Sequence, residues 1–468
     1  MYYYFMQTNP HEEDQDIIEA GYIPQLNRSI GFFASFAISF SFMSVLMGVF
    51  ANYSYVLTKA GPFGIWTWMI VGIGQLLVSL VFAEMAGRIP LTGALYNWNS
   101  KLGHPSTSWL VGWLTTFAYA IGGTGVVVAI MAPLQSFLGT TFELNAIRII
   151  GISIILLKLL INIYGVRLAA YVNRLAVLTE IIALIVFGLI LAVVIFVKGA
   201  AHPALITTIP SAPVPYLPAF LMCTVLAAYT IFGFEAPSDF SEETINAKQV
   251  TPKSIVYSVL TTVIFGMLFL GVITIAIPNL ASITASADPV SAIMTHHLGG
   301  WGTEIFLLCV LLAMFATSLI TSAGTFRLLF AVSRDKRFLG HQYLSRVSAR
   351  GIPIYSAFLI TLIEIVIFLT LYGLAALFAA SIVLMFLAYL ITVINFAIGL
   401  KKLPPTKSFS LGVWHWPIVI LSILWLITEI CILTIPAEFH LAAQITGGII
   451  LAGLVLYQIQ KLLIKKVI

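Results

Sequence analysis

The chain has 468 residues, of which 60% are hydrophobic and only 9% are charged. Soluble domains carry about 25% charged residues, so this composition excludes a soluble globular protein and indicates one that crosses a membrane many times. The formal net charge of +5 does not point to nucleic acid, because in such a protein the position of the basic residues matters more than their sum.

Apolar segments long enough to cross a bilayer recur along the whole chain. A polar N-terminal tail, residues 1–29, precedes the first of them and shows no secretory cleavage site. Twelve spans are predicted, at residues 30–56, 64–87, 106–137, 147–165, 175–197, 215–238, 254–278, 302–330, 354–371, 374–399, 412–434 and 441–460. Residues 30–400 hold ten of these spans and are predicted to form one core. Residues 401–468 hold the last two spans and a short C-terminus.

The basic residues between the predicted spans are distributed asymmetrically. Lys59, Arg148 and Lys198 fall on one side, Lys158 falls inside the fourth span, and the remaining Lys and Arg residues fall on the other side. Cytoplasmic loops are enriched in Lys and Arg. Both termini are therefore predicted to be cytoplasmic, in a multi-pass protein of the plasma (inner) membrane.

The first span contains a stretch, Ser44-Val45-Leu46-Met47-Gly48, where a helix is poorly supported. Serine competes for backbone hydrogen bonds, and glycine costs roughly 1 kcal/mol relative to alanine inside a helix. A break at membrane depth leaves amide N–H groups and the positive end of the helix dipole at the start of the second half-helix. These groups suit a carboxylate, so the five residues are predicted to bind substrate. A kink that binds nothing is the alternative.

The sixth span contains a second poorly helical stretch. Phe232-Gly233-Phe234-Glu235 is followed by proline, and Tyr229 lies one turn earlier. Spans one and six each begin a block of five spans. Interruptions at matching positions of two halves indicate an inverted repeat with the binding site between them. These five residues are therefore predicted to form the other half of the site, although an ordinary kinked helix remains the alternative.

Two acids lie at membrane depth, Glu180 in the fifth span and Glu235 in the sixth. A charge there costs about 2.5–3.5 kcal/mol on insertion scales, so each acid should line a cavity, pair, or carry a proton. Both are predicted to take part in proton coupling. A fixed structural role, as a hydrogen-bond partner of neighbouring hydroxyls or helix ends, remains open for each.

Hydroxyl groups recur along the eighth span, and they either complete a sodium site or form bonds between helices, the commoner use. They belong to Thr317, Ser318, Thr321, Ser322 and Thr325.

No phosphate-binding Gly-x-x-x-x-Gly-Lys loop and no His-Glu-x-x-His motif is present. The chain is therefore predicted not to be an enzyme and to bind no metal, cofactor or nucleic acid. Its coupling ion is predicted to be H⁺.

Four motifs in order along the chain resemble those of the amino acid–polyamine–organocation permeases, and in particular their amino acid/choline branch, which includes GABA permeases. They lie at residues 83–98, 162–167, 233–244 and 327–335. The resemblance extends over about residues 30–465. Sodium-independent relatives carry a lysine near the position of Glu180, so the acid here departs from the pattern of the superfamily.

The resemblance implies an all-α integral membrane fold with twelve transmembrane helices. It implies a five-plus-five inverted repeat (LeuT-like) with discontinuous helices 1 and 6, plus two peripheral helices. It also implies secondary active transport of a small-molecule substrate, an amino acid or related amine (GABA-like), by alternating access within membrane lipid. An amino acid/polyamine exchanger, a sodium-coupled symporter and a non-transporting nutrient sensor are the alternatives, and the oligomeric state stays open.

Overall fold

The structure is a computed structural model that describes residues 17–19, 21, 23–24, 26, 28–164, 166–209, 215–348, 351–370, 374–403 and 408–465. Most of the predicted N-terminal tail, and the last residues of the C-terminus, therefore lie outside the described residues. Within these ranges the regular elements are all helices. A single β-bridge joins Ile30 to Thr244.

The helices of the first half of the chain are α1 (Phe32–Phe42), α2 (Val45–Ala60), α3 (Thr67–Arg88), α4 (Ala94–Leu102), α5 (Pro105–Ala129), α6 (Met131–Leu138), α7 (Leu144–Tyr164) and α8 (Val166–Val197). Those of the second half are α9 (Tyr216–Met222), α10 (Thr224–Thr230), α11 (Ala247–Ile275), α12 (Leu280–Thr284), α13 (Pro289–Arg334), α14 (His341–Leu344), α15 (Ile354–Thr370), α16 (Leu374–Gly399), α17 (His415–Ile432) and α18 (His440–Lys465). A 3-10 helix over Ala236–Glu243 follows α10.

Ten helices of the described chain are long and apolar enough to cross a membrane, which makes this a multi-pass membrane protein. Two further apolar helices, Tyr216–Thr230 and Ile354–Thr370, are shorter. They occupy the places of the predicted sixth and ninth spans. The predicted sixth span, 215–238, ends early as an α-helix because the chain leaves helical geometry after Thr230.

The helices form a central group surrounded by a partial outer layer. The pairs α3 with α11, α5 with α13 and α2 with α10 pack against one another, and α16 packs along α5. Helix α17 packs on α3 and α16 from outside, and α18 packs on α5 and α16. The central group buries polar side chains that include Ser44, Glu180 and Glu235, which places the predicted site residues inside the protein.

Candidate functional site

The chain between α1 and α2 leaves helical geometry at Met43 and Ser44. Ser44 has an extended backbone (φ −39°, ψ 113°), and its Oγ accepts a hydrogen bond from the Met47 amide at 3.3 Å. It is therefore the N-cap of α2, a position that serine favours because it satisfies an amide that the helix leaves unpaired. Gly48 N donates to Ser44 O at 3.0 Å, which closes the first turn.

The carboxylate of Glu180 on α8 lies against this N-terminus. Its Oε1 accepts hydrogen bonds from Ser44 Oγ at 2.7 Å and from the Leu46 amide at 3.2 Å. Glu180 is 1% exposed. A negative group at the start of a helix is stabilised by the unpaired amides and by the positive end of the helix dipole. The protein thus supplies its own carboxylate at the place where the sequence predicts a substrate carboxylate.

The amides at the start of α2 have partners within the protein. Leu46 donates to Glu180, and Met47 donates to Ser44. The Leu46 amide is paired because α8 brings Glu180 to the break, whereas the Met47 amide is paired by the local cap. The sequence alone does not show the contact with Glu180, since 134 positions separate Leu46 from Glu180. The predicted binding of substrate by these residues stays a prediction.

The second site segment begins where α10 ends. Residues 231–235 form a non-helical connection in which Gly233 has a φ of +77°, a value that side-chain-bearing residues rarely adopt. A Cβ on Gly233 would also lie 2.5 Å from Phe42 Cδ1. Ser39 Oγ of α1 donates to Phe234 O at 3.0 Å. The connection after α10 is thus held directly against the end of α1.

Glu235 is bound by two tyrosines from other helices. The Tyr119 hydroxyl of α5 donates to Oε1, and the Tyr389 hydroxyl of α16 donates to Oε2. Tyr389 in turn accepts a hydrogen bond from the Gly233 amide at 2.9 Å. Both carboxylate oxygens are therefore satisfied by protein groups. This geometry matches the structural role that the sequence left open for Glu235.

The predicted aromatic residues of the sixth segment pack on one side of the site. The Tyr229 hydroxyl donates to Gly122 O at 2.7 Å, and its ring centroid lies 3.9 Å from that of Phe378. Phe232 lies 5.5 Å from Tyr229 by ring centroids and is 5% exposed. Tyr229, Phe232 and Phe378 thus form a buried aromatic cluster beside the segment after α10.

Gly48 allows the two halves of the site to touch. A Cβ at Gly48 would lie 1.8 Å from Thr230 Oγ1, the last residue of α10. We expect Gly48→Ala to lower thermal stability and uptake, because overpacking of this kind typically costs about 1–3 kcal/mol. Thr230→Ala in the same chain should restore only part of both, because the Cβ retained at residue 230 still lies 2.8 Å from the added one.

A matched control for this prediction is Gly448→Ala in α18, where an added Cβ meets nothing within 4 Å. That change should be neutral or slightly stabilising, because alanine favours helix more than glycine does. Equal melting temperatures for Gly48→Ala and Gly448→Ala, measured in the same detergent, would contradict the close contact.

Most hydroxyls of α13 bond within their own helix. Thr317, Thr321 and Thr325 each donate to the carbonyl four residues earlier, at 2.7–3.0 Å. Ser318 donates to Gly123 O of α5 at 3.0 Å, and Ser322 donates to Glu364 of α15 at 2.6 Å. Ser318 and Ser322 thus form the predicted bonds between helices, whereas the three threonines bond within α13.

One end of the central group is closed by two ion pairs and by the chain segment that contains Ser29 and Ile30. Arg327 Nε lies 2.6 Å from Glu243 Oε1, and Arg334 lies 3.1 Å from Glu242. The amides of Ser29 and Ile30 both donate to Glu243 O. Next to this closure is a small open cavity. Its wall is mainly apolar, with polar groups from Asn162, Asn173, Arg174 and Arg327.

The structure thus brings most of the predicted site residues together around the two breaks. Leu46, Ser44 and Glu180 are in direct contact, and Gly48 meets the end of α10. Val45, Leu46, Met47, Phe232, Phe234 and Glu235 are all buried. Sequence reasoning missed Tyr119 and Tyr389, whose hydroxyls in apolar spans were the available signal of a buried polar partner.

Comparison with known proteins agrees with this architecture. A family model described as amino acid permease matches residues 30–457. The chain belongs to the amino acid permease family. The expected resemblance to the amino acid–polyamine–organocation superfamily is therefore confirmed, and the chain is placed among multi-pass membrane permeases with small-molecule amino acid substrates.

The permease is similar at low identity to several characterised relatives. It is 25% identical to the amino-acid permease BAT1 of Arabidopsis thaliana, over 93% of this chain and 91% of the relative. It is 24% identical to the thiamine transporter thi9 of Schizosaccharomyces pombe, over 94% and 84%. It is 25% identical to the branched-chain amino acid permease BcaP of Bacillus subtilis, over 62% and 63%.

Proposed function

We propose that this permease is a proton-coupled secondary active transporter that moves an amino acid or related amine by alternating access. The substrate lies between the α1–α2 break and the segment after α10. The observation that carries the proposal is the Glu180 carboxylate on the N-terminus of α2. It puts a titratable group on the same amides that would hold a substrate carboxylate.

The proposed architecture is a five-plus-five inverted repeat in twelve spans, with α17 and α18 peripheral. Helices α3 and α11 follow the two breaks in their respective halves, and α5 and α13 come next. The packing of α3 on α11, and of α5 on α13, supports the proposal because a two-fold repeat brings equivalent helices together. In this scheme α1 with α2, and α10 with the 3-10 segment, are the discontinuous helices.

Proton and substrate transport are coupled in this proposal because the Glu180 carboxylate and the substrate carboxylate compete for the same amides of α2. An ionised Glu180 is held by Ser44, Leu46 and the positive end of α2. A proton on Glu180 removes its charge and weakens that attraction, so the carboxylate of an incoming amino acid takes its place. Proton and substrate then enter the site together. Loss of the proton on the other side returns Glu180 to the amides and expels the substrate.

Alternating access requires one closed end to open. In the orientation proposed from the basic residues, with both termini cytoplasmic in the plasma membrane, the closed end described above faces the cytoplasm. Opening there would separate Arg327 from Glu243 and Arg334 from Glu242. The cavity beside this closure supports the same release route, because it already reaches Arg327 and Phe240.

Uptake into proteoliposomes containing the purified permease tests the proposal. A panel of labelled amino acids, with GABA included, is offered with and without an inward-directed proton gradient. We expect saturable uptake of at least one member, and accumulation above equilibrium when the outside is acidic. Uptake that is saturable but indifferent to the gradient would contradict proton coupling, and no uptake of any member would contradict transport.

A further inference from the structure

A second acid, Asp239, lies four residues after Glu235 in the 3-10 segment. It is 1% exposed, and neither carboxylate oxygen has a hydrogen-bond partner among the described residues. Glu235 differs, since Tyr119 and Tyr389 satisfy both of its oxygens. A buried carboxylate without a partner is strongly unfavourable unless it binds a cation or a proton.

The charges around Asp239 favour a cation. Glu235, four residues earlier in the chain, is a second buried acid, and Arg327 follows Gly324 by one turn of α13. Arg327 already has other partners. Its Nε lies 2.6 Å from Glu243 Oε1, and its guanidinium lies 4.1 Å from the centre of the Phe240 ring. The Asp239 carboxylate therefore lacks a matched positive partner within the described chain.

Gly324 of α13 packs against both Asp239 and the ring of Phe42. A Cβ at that glycine would lie 3.7 Å from Asp239 Oδ2 and 3.1 Å from Phe42 Cζ. Phe42 is the last residue of α1, and the final carbonyls of a helix have no partner within the helix and carry the negative end of its dipole. Such half-helix ends coordinate cations in transporters.

Aromatic rings and hydroxyls complete the surroundings. The Phe42 and Tyr119 ring centroids lie 5.1 Å apart, and aromatic faces attract ammonium groups. The hydroxyls of Ser238 and Ser241, on either side of Asp239 in the chain, are also buried without partners among the described residues. The 3-10 segment thus concentrates unpaired hydrogen-bond acceptors next to the end of α1.

We propose that Asp239 is the counter-ion for a side-chain ammonium group of the substrate, so that the permease prefers amino acids with a cationic side chain. The inference rests on the proposed transport function and adds that the preferred substrate carries a net positive charge. Lysine fits this description, whereas norleucine has a similar carbon chain without the terminal ammonium. The two amino acids therefore differ in the group that Asp239 would bind.

The test compares lysine and norleucine uptake in proteoliposomes, as the ratio of the two kcat/KM values. We expect a ratio of at least about tenfold in the wild type, which corresponds to about 1.4 kcal/mol. Asp239→Asn should lower the ratio at least fivefold, and Asp239→Glu should keep most of it. The control Glu438→Gln, which removes an exposed acid paired with Lys59, should leave the ratio unchanged.

A second variant serves if Asp239→Asn does not fold. Gly324→Ala adds a methyl group 3.7 Å from Asp239 Oδ2 and 3.1 Å from Phe42 Cζ, where it crowds the carboxylate, and should lower the ratio at least threefold. An unchanged ratio in Asp239→Asn or in Gly324→Ala would overturn the inference. A wild type that transports norleucine as well as lysine would also overturn it while leaving the proposed function intact. A wild type that transports no amino acid would instead refute the proposed function.

Discussion

Replacing Lys158 by methionine is expected to destabilise the permease by about 3–5 kcal/mol, the usual result of removing one partner of a buried ion pair. Lys158 Nζ lies 3.1 Å from Glu364 Oε2 and 2.8 Å from Ser318 Oγ. Both charged side chains are 1% exposed. The substitution leaves Glu364 as an uncompensated charge between α7, α13 and α15, which is why the expected effect is large.

The apparent melting temperature in detergent measures this loss. The double variant Lys158→Met, Glu364→Gln should recover most of the stability, because it removes the stranded charge and keeps an acceptor for Ser322. Lys59→Met is the matched control. Its ion pair with Glu438 is about one-third exposed on both sides, so its loss should cost at most about 1 kcal/mol. Equal losses in the Lys158 and Lys59 variants would show that the buried pair carries no special stability.

Glu180→Gln is expected to abolish the stimulation of uptake by a proton gradient. The glutamine side chain keeps an acceptor for Ser44 Oγ and the Leu46 amide, so the break and the fold should persist. It no longer takes up or releases a proton. We therefore expect concentrative uptake to fall to the equilibrium level, while exchange of labelled for unlabelled substrate continues.

The comparison needs a second buried acid as its control. Glu429→Gln changes an acid on the outer helix α17 that is 0% exposed, and it should keep the stimulation. Uptake is measured at a fixed internal pH while the external pH is lowered. If Glu180→Gln retains the full response of the wild type, Glu180 is not the coupling residue.

The features that depend on local chemistry were predictable from the sequence. Ser44 marks the break after α1 because serine caps the new helix α2, whereas Gly48 lies inside α2. Gly233 marks the end of α10, since its φ of +77° favours glycine. The apolar segments likewise predicted where most of the long helices lie, because length and composition suffice for that.

The contacts between distant side chains were not predictable in this way. Glu235 was recognised as an acid at membrane depth, but its partners Tyr119 and Tyr389 lie 116 and 154 positions away. Lys158 and Glu364 are separated by 206 positions. Such pairs depend on how helices pack, and a single sequence carries no record of that packing. The contact between Glu180 and α2 was not predictable for the same reason.

The two predicted acids differ in their contacts. Glu235 is held on both oxygens by tyrosines, whereas Glu180 lies on amides that a substrate would also use. The sequence predicted proton coupling for both. We now propose Glu180 alone as the coupling group, with Glu235 fixing the segment after α10 to α5 and α16.

Simultaneous recording of substrate entry and internal pH tests the central claim most directly. Proteoliposomes are loaded with a pH-sensitive dye, and a labelled amino acid from the transported set is added without an imposed gradient. We expect the interior to acidify in step with substrate entry, and we expect Glu180→Gln vesicles that are also preloaded with unlabelled substrate to exchange it for the labelled substrate without acidification. Substrate entry in the wild type with no change in internal pH would contradict it.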